Sequence, residues 1–204
     1  MGMATVLPSG ILAATPPSDK VNLALLGCRN MGFGVLSRAL EFDDVNCVAM
    51  CDIDKNVLRE KAAEVEKTFG QKPEQYTDFR KMLEQKNIDG ILISTPDHWH
   101  CLNFIYALQA GKDVYVEKPM ANTIGECNIM VEAARRYNKQ VVQVGQQQRS
   151  GETFNEAMKW IKGGRIGKLR KVNVWANFHY GVGPQIKPDG PVPEGVDYDF
   201  WLGP

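Results

Sequence analysis

The stretch Val21-Asn22-Leu23-Ala24-Leu25-Leu26-Gly27-Cys28-Arg29-Asn30-Met31-Gly32 decides the fold. Its first six residues are almost wholly apolar, as expected of a strand buried on both faces, the situation of a parallel sheet. A glycine turn follows at once and opens a helix. A strand, then G-x-G-x-x-G, then a helix is the dinucleotide fingerprint. Here the first and third glycines stand at Gly27 and Gly32, and Arg29 replaces the second. The first glycine makes a tight turn, the second lets the backbone approach a pyrophosphate, and the third lets helix and strand approach closely. Arg29 either offers a cation at that point or blocks the approach. Asn30 and Met31 lie where backbone N–H groups at a helix start favour a phosphate. The plainer reading is an ordinary strand–turn–helix.

Working outward, the same alternation continues to Gly145. Strands are expected over 45–51, 89–94, 113–116 and 140–144, and helices over 30–42, 54–69, 77–86, 98–110 and 123–137. Gly70 and Gly111 stop two of the helices, and Thr123 with Glu126 forms a capping box. Parallel strands need crossovers, so the pattern implies an α/β fold: a Rossmann-type doubly wound parallel sheet with helices on both faces. Beyond it, a helix over 151–161 and an alternating strand over 168–180 look like the start of an α+β open-sheet domain. Residues 181–204 are rich in Gly and Pro and show no period. The expected division is a leader at 1–19, a dinucleotide-binding domain at 20–148, and the incomplete start of a second domain at 149–204.

The strand ends carry the chemistry, because open α/β sheets bind ligands at the carboxyl edge. Asp52 closes the second strand about 25 residues after Gly27, where the fingerprint expects an acid for the adenosine ribose about 20 residues on. A carboxylate there repels a 2′-phosphate and favours NAD over NADP. Asp54 is the better helix cap, which leaves Asp52 free for a ligand. Ser94-Thr95-Pro96-Asp97-His98-Trp99-His100 follows the third strand. Pro96 keeps Thr95 extended, so Ser94, Thr95 and Pro96 run across a bound cofactor. His98 and His100 lack a third ligand nearby, so no metal site is expected. Asp97 or His98 reads as a helix cap, and His100 either meets a ligand or is a satisfied core histidine.

Glu117-Lys118-Pro119-Met120 follows the fourth strand, with Pro119 keeping Lys118 out of helical geometry. A lysine there overhangs the nicotinamide side of a bound dinucleotide, where its ammonium can polarise a substrate oxygen or pass a proton. A solvated loop lysine is the bland alternative. Gln146-Gln147-Gln148-Arg149 after the last strand supplies amides and a guanidinium suited to hydroxyl-rich substrates or a carboxamide.

Composition bounds the partners. The chain has 204 residues, 44% hydrophobic and 24% charged, with 24 basic and 24 acidic side chains. Zero net charge argues against a nucleic-acid binder, and no apolar run approaches the roughly 18 residues of a membrane span. The five cysteines include no C-x-x-C pair. Cys47 and Cys51 would stand about 13 Å apart along a strand, too far to share an ion, so small buried hydrophobes are expected. Residues 1–19 contain no Lys or Arg and read as a disordered leader or the remnant of an export signal. The location implied is cytoplasmic or periplasmic.

Together these motifs resemble the glucose–fructose oxidoreductase/inositol dehydrogenase (Gfo/Idh/MocA) family. The resemblance rests on the turn at Gly27–Gly32, Asp52, Thr95-Pro96 followed by His100, Glu117-Lys118-Pro119, Val144-Gly145 with Arg149, and Ile166-Gly167-Lys168-Leu169. The forms STPDHWH, EKPM and GQQQR are similar to a subgroup that often carries an export signal. The resemblance implies NAD-linked hydride transfer on a sugar or cyclitol hydroxyl, with Lys118 catalytic. It places Glu117, Thr95, His100 and Gln147 on the cofactor, and Lys118, Gln148, Arg149 and His179 on the substrate. It also implies a homo-oligomer assembled through the second domain. That domain is an open sheet of well over 100 residues in the family. One strand of it cannot bury its apolar face alone, so this chain is expected to bind NAD and to turn over poorly. Two other readings stand beside the dehydrogenase: glycoside cleavage through transient oxidation by tightly held NAD, and a non-catalytic cofactor-binding or assembly module.

Overall fold

The computed structural model describes residues 19–175 and 188–203. The order runs β1 (Val21–Leu26), α1 (Asn30–Ala39), β2 (Val45–Cys51), α2 (Lys55–Phe69), β3 (Glu74–Tyr76), α3 (Phe79–Leu83) and β4 (Gly90–Ile93). A 3-10 turn over Asp97–Trp99 leads into α4 (His100–Gln109), followed by β5 (Asp113–Glu117), α5 (Ile124–Arg136) and β6 (Val142–Gly145). A second 3-10 turn (Gln147–Ser150), α6 (Glu152–Lys162) and α7 (Tyr198–Leu202) complete the described elements.

The six strands form one sheet in the order β3-β2-β1-β4-β5-β6, and every neighbouring pair is parallel. This is the doubly wound sheet the alternation implies. Chain direction across the sheet reverses between β1 and β4, so the carboxyl ends of β2, β1, β4 and β5 border one crevice. Apolar strand residues fill both faces. Leu25 and Met50 meet Leu36, Leu58 and Val65 from α1 and α2. Ala24, Ile91 and Ile93 meet Phe79, Leu108 and Met130 on the other side. The ends of α2 follow local chemistry: Asp54 accepts from the N–H groups of Asn56 and Val57, and Gly70 closes the helix at φ 68°. The Thr123–Glu126 capping box opens α5.

Two compact units emerge. The second, residues 146–193, contains α6, where Phe154, Met158, Trp160 and Ile161 are all exposed. The strand expected over 168–180 is absent from residues 168–175, which form no ladder. Alternation marks two faces but supplies no hydrogen-bonding partner, and the rest of that segment lies outside the described residues. The first unit is discontinuous: residues 194–203 return to it. Val196 makes an antiparallel bridge with Asp54, the Lys55 N–H donates to Gly195 O at 3.0 Å, and the Phe200 ring stacks on Phe79 at 6.1 Å. The sequence reading, which placed the whole of 149–204 in the second domain, did not anticipate this return.

Candidate functional site

The glycine turn is held by shape. Gly27 has φ 88°, a region closed to most side chains, and a Cβ there would fall 2.6 Å from Ser94 O. A Cβ on Gly32 would fall 2.1 Å from Gly27 O. The turn thus lies directly against the start of the β4 loop, as the fingerprint requires. Arg29 occupies the N-cap position of α1 and provides no side-chain cap. The first helical bond runs from the Phe33 N–H to Arg29 O at 3.2 Å. The N–H groups ahead of it, on Asn30, Met31 and Gly32, are unclaimed by the helix, and the first two of these residues are exposed. A phosphate fits this start.

The acids after β2 are more occupied than expected. Asp52 is not free: its Oδ2 accepts the Cys28 N–H at 2.7 Å and its Oδ1 the Asp54 N–H at 2.9 Å. The carboxylate braces the glycine turn against β2, and its remaining lone pairs can still accept ribose hydroxyls. Arg29 does not stand over the turn as an unattached cation but pairs through Nη2 with Asp54 Oδ2. Asp54, 7% exposed, caps α2 with its other oxygen at 2.9 Å from the Asn56 N–H.

At the β4 edge, His100 is 2% exposed and sets both ring nitrogens against backbone carbonyls, Nδ1 at 2.7 Å from Pro119 O and Nε2 at 2.8 Å from Thr95 O. It ties the loop after β4 to the loop after β5. Asn103, buried on α4, donates from Nδ2 to Thr95 Oγ1 at 3.2 Å. Sequence reasoning missed Asn103; the signal was one amide on an otherwise apolar helix face. Ser94 Oγ and Asn103 Oδ1 are buried without a partner among the described residues, so polar capacity is left over beside the glycine turn. Neither Asp97 nor His98 caps a helix. His98 Nε2 instead lies 2.8 Å from Trp201 O, and the Trp99 indole N–H donates to Phe200 O at 3.1 Å.

At the β5 edge, Glu117 is 3% exposed and accepts the Lys118 N–H through Oε2 at 3.1 Å and the Tyr115 hydroxyl through Oε1 at 3.3 Å. Burial first, and the Glu117 charge second, push the Tyr115 phenol up. Lys118 is exposed, and the Lys118–Pro119 peptide is cis. A Cβ on Gly145 would fall 2.6 Å from the Tyr115 hydroxyl, a constraint not legible in sequence.

The structure therefore joins Gly27, Arg29, Gly32, Asp52, Ser94 and Thr95 at one edge, and His100 links Thr95 to the Glu117–Pro119 loop. Gln147, Gln148 and Arg149 lie in the 3-10 turn that begins the second unit, all exposed. His179 lies outside the described residues. Burial pushes the Cys47 thiol up to about 12. It also raises Cys28, with the Asp52 charge adding to the effect, so neither is a nucleophile near neutral pH. Among the described residues no cluster of His, Cys, Asp and Glu could hold a metal, and no helix is long and apolar enough to cross a membrane.

A family model described as "Oxidoreductase family, NAD-binding Rossmann fold" matches residues 21–146. A glycosyl hydrolase family 109 protein of Shewanella pealeana is 34% identical over 136 residues, covering 65% of this chain and 30% of that protein. An alpha-N-acetylgalactosaminidase of Shewanella oneidensis is 30% identical over 134 residues, covering 64% and 29%. Among solved structures, myo-inositol 2-dehydrogenase from Lactobacillus plantarum has a TM-score of 0.64 at 29% identity, covering 73% of this chain and 43% of that one. The WlbA dehydrogenase from Bordetella pertussis, solved with NADH and UDP-GlcNAcA, has a TM-score of 0.65 at 28% identity, covering 72% and 43%. The chain spans less than half the length of each of these relatives.

Proposed function

The chain belongs to the Gfo/Idh/MocA oxidoreductase family, and from that premise we propose that its first unit holds NAD for an enzyme acting on a sugar or cyclitol hydroxyl. The observation that carries this reading is the start of α1: uncapped, set on a positive-φ glycine, and facing the crevice where the sheet changes direction. When bound there, NAD supplies a hydride acceptor. Gly27, Asn30, Met31 and Gly32 receive the pyrophosphate, and Asp52 receives the adenosine ribose. Thr95, tied by Asn103 and His100, lines the nicotinamide side with Glu117. Lys118 would polarise the substrate oxygen and assist proton movement as the carbon is oxidised. The family resemblance assigns substrate contacts to Gln148, Arg149 and His179, and a homo-oligomer through the second unit accompanies this reading. The acids at the β2 edge favour NAD over NADP.

A second reading has one observation in its favour, the names of the curated relatives. In it, NAD would take a hydride from the sugar, elimination would expel the aglycone as an alcohol, water would add across the resulting double bond, and the hydride would be returned, so that the net change is hydrolysis. The two readings part on product: a dehydrogenase accumulates NADH, whereas a glycosidase of this kind releases sugar with no net NADH.

The binding test is an NADH titration of the full chain, followed by tryptophan-to-NADH energy transfer. Saturable binding is expected, with Lys118→Ala leaving the affinity within about twofold. Absence of saturable binding overturns the proposal.

A further inference from the structure

At the junction of β2 and α2 two carboxylates stand two residues apart, and one of them, Asp54, takes the Arg29 guanidinium. Asp52 spends an oxygen on each of two backbone N–H groups, at 2.7 and 2.9 Å. Asp54 takes Arg29 on Oδ2 and holds the first turn of α2 with Oδ1. Asp54 is also fixed from outside the matched family region. Val196 bridges to it, the Lys55 N–H donates to Gly195 O at 3.0 Å, and the Asp197 N–H donates to Ile53 O at 3.2 Å. The Asp54 side chain is 11% exposed and that of Arg29 65%. One partner is a fixed anion, and the other is a long, mostly solvated side chain that follows it.

We propose that Asp54, seated by the returning segment 194–197, sets the choice between NAD and NADP by holding Arg29. This rests on the dinucleotide reading above. Arg29 springs from the N-cap position of α1 and reaches across to the start of α2. Its guanidinium therefore spans the two turns that border the adenosine ribose in a doubly wound sheet. Released, it would offer a forked donor matched to a 2′-phosphate. Held by Asp54 it is neutralised, and the Asp52 charge remains to repel that phosphate. Specificity for NAD thus comes from a pair, a repelling acid and a restrained cation. Asp52 alone was the expected source.

Asp54→Asn tests this, because Asn caps helices about as well as Asp while the charge is removed. NADH and NADPH dissociation constants would be measured for the full chain, Asp54→Asn, Arg29→Ala and the double variant. Asp54→Asn is expected to improve NADPH binding relative to NADH by roughly tenfold. Arg29→Ala should leave the ratio near that of the parent, and the double variant should lose the gain. An unchanged ratio in Asp54→Asn overturns the proposal, as does a gain that survives loss of Arg29. Should the Asn variant fold poorly by circular dichroism, Asp54→Ser keeps a capping hydroxyl and is read the same way. If the parent binds neither nucleotide, the dinucleotide reading itself fails. If it binds both equally and Asp54→Asn changes nothing, only the ion-pair proposal fails.

Discussion

Helices α1 and α2 leave the same edge of the same sheet, one strand apart, and begin in opposite ways. The start of α2 is closed: Asp54 caps it, and residues 194–197 are hydrogen-bonded along it. The start of α1 is open: Arg29 gives it no cap, and its approach is a glycine turn with φ 88° pressed against Ser94. Capping contributes about 1 kcal/mol, so the open helix forgoes stability that its neighbour has. What it keeps is a set of N–H groups directed at the crevice. Within one sheet, one helix start is closed by the fold and the other is left open, at the place where the proposed dinucleotide would sit.

The largest way to break this comparison is at glycine. Gly27 and Gly70 both have positive φ, but a Cβ on Gly70 would meet nothing within 4 Å. Gly70→Ala should cost about 1 kcal/mol, the backbone penalty alone. Gly27→Ala adds a backbone collision and should cost about 3–4 kcal/mol, read from urea midpoints. Equal losses would mean that the turn yields and that the close approach to Ser94 is unimportant.

The next test closes the open helix. Arg29→Ala and Arg29→Ser lose the same ion pair, but serine supplies a cap. The serine variant should be the more stable by about 1 kcal/mol and should bind NADH several-fold more weakly, because its hydroxyl competes for the N–H groups a phosphate would use. Identical melting temperatures and affinities would show that the start of α1 is not available as an anion site.

The smallest effect is at a third helix start. Asp78 caps α3, and its side-chain bond to Arg80, 2.7 Å in length, holds its carboxyl below the usual range. A folded-state pKa below the unfolded value of about 3.9 gives stability that is present above that value and lost as pH falls through the folded one. Asp78→Asn should therefore be slightly less stable than the parent at pH 7, and the two denaturation curves should converge in acid. A difference that is constant with pH would break the assignment.

Most of the fold was legible because strands buried on both faces must be largely apolar runs, and β1, β2 and β4 are, while β5 keeps an apolar centre at Val114–Val116. β3 was not, since Glu74-Gln75-Tyr76 is a three-residue edge strand without an apolar signature. The site was legible where geometry restricts residue type: glycines at a crowded turn, an acid at a strand end, proline after lysine. It was not legible where a side chain's task is set by tertiary neighbours. Asp52 was expected to be free and braces Cys28. Arg29, expected either to offer a cation at the pyrophosphate or to block its approach, pairs with Asp54. Residues 194–203 dock mainly through backbone hydrogen bonds and stacked rings, which leave no periodicity to read.

The return of residues 194–203 also has a consequence for synthesis. The edge of the first unit beside Asp54 and Phe79 is complete only when a stretch made after the whole second unit has left the ribosome. At ~5–20 residues per second, several seconds separate emergence of the last sheet strand from arrival of the segment that finishes the unit. During that interval the nascent chain presents Phe79 and Trp99 without the Phe200 ring that packs against both.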